Sequence, residues 1–294
     1  MAVVVGTNQA DTIFFTGVSP GVIGGPTTAG TDFVFGAGGN DTISASDGDD
    51  VVFGGAGDDF INGDGARFSG GVGDDFVDGG EGDDRIWGEG GSDILLGGDG
   101  DDFLNGAGGW FDRSADDLRG GRGADTLRGA GGADTLAGGP GADTFLFADV
   151  GDIAPFMDTR PGQGNRDVIL DFQQGSDVID LSNYQTYYGF PGTRDTPTFL
   201  GTGDFIETDA LQVRYQVEGD LTIVQFLTAT NGEGVFFSKP ALGEVELRGS
   251  YTLTGSDFVL TDASPGASSS HAALGGLEPL GVQALDAADP IPPG

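Results

Sequence analysis

The chain has 294 residues, 58 of them Gly, with 47 Asp and Glu against 12 Lys and Arg, one His, no Cys and a formal net charge of −35. Lys239 is the single lysine, so no basic stripe exists to neutralise phosphates, which excludes nucleic-acid binding; the missing cysteines exclude disulfide frameworks, thiolate zinc sites and cysteine nucleophiles. One histidine, His271, leaves no His triad or multi-His metal centre, and the absence of a long apolar run or a charged leader before MAVVVGTNQADT predicts neither a membrane helix nor a Sec signal peptide.

Residues 1–31 read as an N-terminal cap containing one weak unit, GTNQADTIF, with Asp11. From residue 32 the glycine becomes periodic. GAGGNDTIS, ASDGDDVVF and GGAGDDFIN run without a gap from Gly36 to Asn62, and with the unit before them they set Asp32, Asp41, Asp50 and Asp59 nine residues apart. GGVGDDFVD, GGEGDDRIW, GEGGSDILL and GGDGDDFLN add Asp75, Asp84, Asp93 and Asp102; a third block adds Asp116, Asp125, Asp134 and Asp143. Between Gly36 and Gly141 lie 33 of the 58 glycines, so the excess marks a repeat rather than a low-complexity linker.

Within each unit, Gly at the first, second and fourth positions permits φ > 0 and a sharp turn, and Asp at the sixth adds a hard anionic oxygen. Carboxylate and carbonyl oxygens together suit Ca²⁺, which takes 6 to 8 oxygen ligands in flexible geometry, better than the small octahedron of Mg²⁺. The twelve sixth-position aspartates are therefore the candidate metal ligands. The eighth position is apolar in every unit: Val34, Ile43, Val52, Ile61, Val77, Ile86, Leu95, Leu104, Leu118, Leu127, Leu136 and Phe145. One inward side chain per short strand cannot form a core alone, so successive coils are expected to stack.

The pattern resembles the GGxGxDxUx nonapeptide of the hemolysin-type calcium-binding repeat proteins, the RTX family. That resemblance implies a parallel β-roll with two units per coil and Ca²⁺ between neighbouring turns. Residues 36–143 carry 24 acidic and 6 basic residues, a charge that about 8 to 10 calcium ions would cancel. Without the ions, repulsion and a thin core should leave the array unfolded, so that metal binding supplies the folding free energy.

Extra residues interrupt the period before the first, fifth and ninth units: about Phe15 to Pro26, then Gly63 to Ser69, then within Gly108 to Ser114. Alternate units turn on opposite edges, which puts all three insertions on one edge. Arg67 with Phe68, and Trp110, Phe111 with Arg113, make that edge a candidate binding face, although loops on repeat proteins also tolerate insertion without function. Ser114 stands where a fourth-position Gly belongs and predicts a weak metal site before Asp116. Arg119, Arg122 and Arg128 read as solvated counter-charges.

The array is assigned to residues 32–147 and a β-rich C-terminal domain to 148–262. In RDVILDFQQGSDVIDLS, Val168, Leu170 and Phe172 alternate, a turn follows at Gln174–Gly175, and Val178 and Ile179 resume. LQVRYQVEGDLTIVQFL reads as a hairpin about Glu218, Gly219 and Asp220, and VFFSKPALGEVELRGSYTLTGSDFVL as three further strands. Asp167 to Ser182 and Asp257 to Leu260 resemble the C-terminal region of the secreted serralysin metalloproteases, which implies a cap on the roll and export by a type I secretion apparatus. No HExxH motif is present, and no catalytic residues are assigned. Residues 263–294 read as a disordered tail with a short amphipathic helix near Leu280 to Ala288.

The fold expected is all-β, a parallel β-roll followed by a β-rich cap. The function expected is a secreted, extracellular, non-enzymatic Ca²⁺ binder whose partners are calcium, the secretion apparatus and either itself or a cell-surface glycan. A calcium-dependent membrane-acting toxin and an accessory module of a secreted hydrolase stay open as alternatives.

Overall fold

A computed structural model describes residues 1–14, 17–65, 73–107, 113–147, 166–182, 197–206, 211–227 and 242–260. The tail assigned to 263–294, its helix, and Phe68, Trp110 and Phe111 lie outside the described residues.

The backbone winds as a roll, two strands to a coil. β1 (Val3–Val5) and β2 (Thr12–Phe14) form the first coil, with β3 (Gly17–Val18) folding back antiparallel on β2. β4 (Phe33–Gly38) and β5 (Thr42–Ser44) follow, then β6 (Val51–Ala56) and β7 (Phe60–Asn62), then β8 (Phe76–Glu81) and β9 (Arg85–Glu89). β10 (Ile94–Asp99) and β11 (Phe103–Ala107), β12 (Asp117–Arg122) and β13 (Thr126–Arg128), and β14 (Thr135–Ala137) and β15 (Thr144–Leu146) continue it. β16 (Asp167–Ile169) and β17 (Val178–Asp180) add one more coil beyond the nonapeptides. The remaining strands are β18 (Thr198–Phe199), β19 (Gln212–Glu218), β20 (Leu221–Leu227), β21 (Leu242–Arg248) and β22 (Phe258–Val259).

Even-numbered strands from β4 to β16 stack in parallel in one sheet, with β1 at its start and β21, β20, β19 and β18 at its far end. The odd-numbered strands from β5 to β17 stack in a second sheet that begins with β3 and β2 and ends with β22. Among the described residues the architecture is therefore an all-β roll of parallel strands, as the nonapeptide pattern predicts.

Register follows the eighth position. Val34 pairs with Val52, Val52 with Val77, Val77 with Leu95, Leu95 with Leu118 and Leu118 with Leu136, and the second sheet matches Ile43, Ile61, Ile86, Leu104, Leu127 and Phe145 in the same way. All twelve of these side chains have 0% exposure and form one apolar column. Slipping any strand by one residue would turn its column member to solvent, so burial itself holds the register.

The C-terminal strands depart from the sequence reading in one respect. Val168 is only half-buried and Leu170 is exposed, while Asp167 and Ile169 face inward. β16 pairs with β14 and β17 with β15, so the Asp-x-apolar register of the repeats, carried on by Asp167–Ile169 and Asp177–Ile179, decides which side chains enter the core. The hairpin of β19 and β20 forms as read, with Glu218 paired to Leu221 and Gly219 at φ +66° in the two-residue turn. Of the three strands expected after it, β21 and β22 lie among the described residues; they join β16 and β17 in parallel and extend both sheets.

Candidate metal centre

The turns at each edge of the roll carry a ladder of aspartates. On the edge leading into the first sheet the ladder is Asp32, Asp50, Asp75, Asp93, Asp116, Asp134 and Asp167; on the other it is Asp11, Asp41, Asp59, Asp84, Asp102, Asp125, Asp143 and Asp177. Along each ladder the backbone N–H of one Asp donates to Oδ1 of the Asp one coil further, at 2.6–3.1 Å. All twelve sixth-position aspartates lie on these ladders, and all are buried. Asp11, Asp167 and Asp177 are additional members, each marked in the sequence by an Ile two residues later.

The second carboxylate oxygen separates two kinds of turn. In Asp11, Asp32 and Asp177, Oδ2 accepts from the N–H four residues earlier, donated by Thr7 at 2.6 Å, Thr28 at 2.5 Å and Gln173 at 2.7 Å. These turns are satisfied by their own backbone. In Asp41, Asp50, Asp59, Asp75, Asp84, Asp102, Asp125 and Asp143, Oδ2 is buried with no hydrogen-bond donor. An unmet buried acceptor costs about 1–3 kcal/mol, more when charged, so eight such oxygens in register call for cations.

A cradle lies beside each of these oxygens where the first residue of the turn is Gly. A Cβ on Gly79 would collide with Asp84 Oδ2 and stand 2.7 Å from the carbonyl oxygen of Gly97; Gly54 and Gly97 repeat the arrangement toward Asp59 and Asp102. Fourth-position carbonyls stack in the same way, Gly39 beneath Gly57, Gly57 beneath Gly82 and Gly82 beneath Gly100. Among the described residues no three His, Cys, Asp or Glu side chains gather at one point. A bound ion would therefore be held by a carboxylate of each turn together with backbone carbonyls, an all-oxygen set that fits Ca²⁺.

Electrostatics agrees. Burial pushes the carboxyl of Asp75 up to about 9, Asp50 to about 8, Asp84 and Asp125 to about 7, and Asp41, Asp59, Asp102 and Asp143 to about 6, with hydrogen bonds from the backbone holding each lower and neighbouring aspartates adding to the rise. These carboxylates are costly to charge in the metal-free fold, and a dication removes that cost.

The insertions do lead from the second sheet into the first, before β4, β8 and β12. They open the turn rather than precede it. Gly63, directly after β7, borders Asp75 Oδ2, and Gly106 borders Asp116 Oδ2, so both keep the first-position role while the added residues follow them. The strand end fixes that glycine in space, and the loop lengthens behind it. A Cβ added to the fourth-position Gly132 would collide with the Ser114 carbonyl oxygen, so that carbonyl stands in the row that fourth-position Gly carbonyls form in other turns. Positive φ at Ala37, Ser46, Glu89 and Ala130, +66° to +83°, falls in each case at the second position, which Gly55, Gly80, Gly98, Gly121 and Gly139 hold, also at positive φ, in other units. Arg119 and Arg122 are exposed and pair with Asp117 at 2.9 Å and Asp99 at 3.3 Å, as counter-charges.

The RTX calcium-binding nonapeptide repeat model, which spans four copies, matches residues 27–61, 69–104 and 112–145. No curated protein matches the chain. Among solved structures, the solution structure of the AlgE6R3 subunit of the Azotobacter vinelandii mannuronan C5-epimerase is 27% identical over 75% of this chain and 91% of its own, with a TM-score of 0.31. The AlgE6R2 subunit of the same epimerase is 26% identical over 62% of this chain and 96% of its own, with a TM-score of 0.30. The twelve stacked units, with their aspartate ladders and glycine cradles, are thus RTX calcium-binding nonapeptide repeats forming a Ca²⁺-binding β-roll.

Proposed function

We propose that the chain is a secreted, non-enzymatic calcium protein that is exported unfolded by a type I apparatus, folds when it meets extracellular Ca²⁺, and then assembles with itself or attaches to a cell-surface glycan through its insertion edge. The observation that carries the folding step is the row of buried Oδ2 atoms that no protein group meets. A roll with eight desolvated carboxylates in register and one apolar side chain per strand cannot hold that charge without cations, so binding free energy becomes folding free energy. Extracellular modules bind Ca²⁺ at about 10⁻⁴ to 10⁻³ M, which would keep the chain unfolded in a low-calcium cytosol.

The serralysin-like segments Asp167 to Ser182 and Asp257 to Leu260 support the export route, and the placement of all three insertions at one edge supports a single attachment face. In this reading residues 148–262 cap the array. Circular dichroism through a Ca²⁺ titration tests the central claim: β signal should appear with calcium, and a fully formed signal in excess chelator at neutral pH would overturn it. Sedimentation with and without calcium tests assembly, which requires large species only in its presence.

A further inference from the structure

One buried carboxylate belongs to neither ladder. Asp64 follows the first-position Gly63 of the opened turn before Asp75, and its exposure is 0%. Its Oδ2 accepts from the N–H of Gly90, at 3.3 Å, in the corresponding turn of the next coil, and its carbonyl accepts from the Ser44 hydroxyl at 3.4 Å. Oδ1 has no hydrogen-bond donor. Two residues earlier Asn62, 8% exposed, also has a buried Oδ1 that no donor meets. Gly63, between the two, forms the cradle of Asp75: a Cβ there would collide with Asp75 Oδ2 and lie 3.0 Å from the Gly88 carbonyl oxygen.

The surroundings are acidic on every side. Asp50 and Asp75 both feel the charge of Asp64, and Asp93, Asp47 and Glu89 press on Asp64 itself. Among the described residues no cationic side chain bonds to its carboxylate, and the donor to it is the Gly90 amide. Elsewhere in the array the second position is filled by Gly or by Thr28, Ala37, Ser46, Glu89, Ala107 or Ala130, and Asp64 is the only aspartate there.

We infer that Asp64 and Asn62 supply two oxygen ligands from outside the sixth-position pattern to a hard divalent cation in the Asp75 turn, making this the tightest calcium site of the roll. The inference rests on the reading of the array as a calcium binder. Two extra side-chain oxygens, one of them charged, raise the ligand number and charge of the site, the variables that set calcium affinity.

The test is a calcium titration of the full chain, followed by calorimetry, for the wild type and for Asp64→Asn, Asn62→Ala and the control Asp83→Asn, an exposed aspartate on the opposite edge. Asp64→Asn is expected to lose one ion or to weaken the tightest class at least 10-fold, Asn62→Ala to weaken the same class less, and Asp83→Asn to titrate like the wild type. Asp64→Asn matching the wild type in ion number and tightest affinity would overturn the inference. Should Asp64→Asn fold only at raised calcium, that supports it; folding lost at every calcium concentration, with Asn62→Ala indistinguishable from the wild type, counts against it. A wild type that binds no calcium would instead remove the reading of the array.

Discussion

Gly97→Ala isolates the cradle from every other role of glycine. Gly97 is not at positive φ, so alanine brings no backbone strain, and the whole effect comes from one methyl group. That methyl would collide with Asp102 Oδ2 and stand 2.5 Å from the Gly120 carbonyl oxygen, where ordinary contact begins near 3.4 Å. Neither neighbour moves freely: Asp102 is tied through Oδ1 to the Asp84 N–H at 2.8 Å, and Gly120 belongs to β12. Overpacking of this kind costs about 1–3 kcal/mol, and the methyl also fills the space an ion would take between the two oxygens. Gly25→Ala, with nothing within 4 Å of its Cβ and no positive φ, is the matched control, expected to stay within about 0.5 kcal/mol. Calorimetric counting of bound Ca²⁺ and thermal unfolding at saturating calcium should show one ion fewer and the stated loss for Gly97→Ala. Equal ion number and equal stability in the two variants would refute the cradle as the ion's seat.

Leu104→Ala, at a fully buried position in mid-column, should cost about 2–5 kcal/mol by denaturant unfolding in calcium. In chelator, the ladder carboxyls raised to about 6 to 9 hold their protons more tightly folded than unfolded, so their contribution is full below about pH 4 and lost as pH rises through 6 to 9; circular dichroism should show β structure gained on acidification and lost toward neutrality. Calcium affinity should fall with acidification over the same range, with proton release measurable by titration in buffers of different ionisation enthalpy. Arg166→Met removes the cation that bridges buried Glu244 at 3.1 Å and Glu246 at 3.2 Å, and should destabilise the C-terminal sheet by about 3–5 kcal/mol, read by thermal unfolding.

Much of this was legible in the sequence because a nonapeptide repeat states the same local problem twelve times. The eighth-position column from Val34 to Phe145 and the inward sixth-position aspartates required only that register be kept. Position within a turn was harder. The motif alone ends the insertion before GGVGDD, yet Gly63 keeps the first-position place, because the end of β7 and not the spelling of the motif fixes that glycine. Val168 and Leu170 misled for a related reason: alternation gives the period of a strand but not its phase, and pairing to β14 sets the phase. The contrast between Asp32 and Asp41 was invisible, since it depends on whether an amide four residues back swings toward Oδ2. Asp64 had no signal at all beyond being acidic inside an insertion.

The aspartate ladders give the roll a direction that its two-sheet symmetry conceals. Each buried ladder carboxylate after Asp11 reaches back through Oδ1 to an amide of the coil before it and none reaches forward, whereas the forward-reaching fifth-position carboxylates of Asp49, Asp58, Asp74, Asp83 and Asp101 are exposed to water. Removing coils from the C-terminal end strips acceptors and leaves amides, which water satisfies readily; removing them from the N-terminal end leaves a carboxylate stripped of its donor on the new face. The two ends are thus unequal as a growing and a terminating end of a filament are unequal, and a shortened roll should tolerate trimming from one side better than from the other.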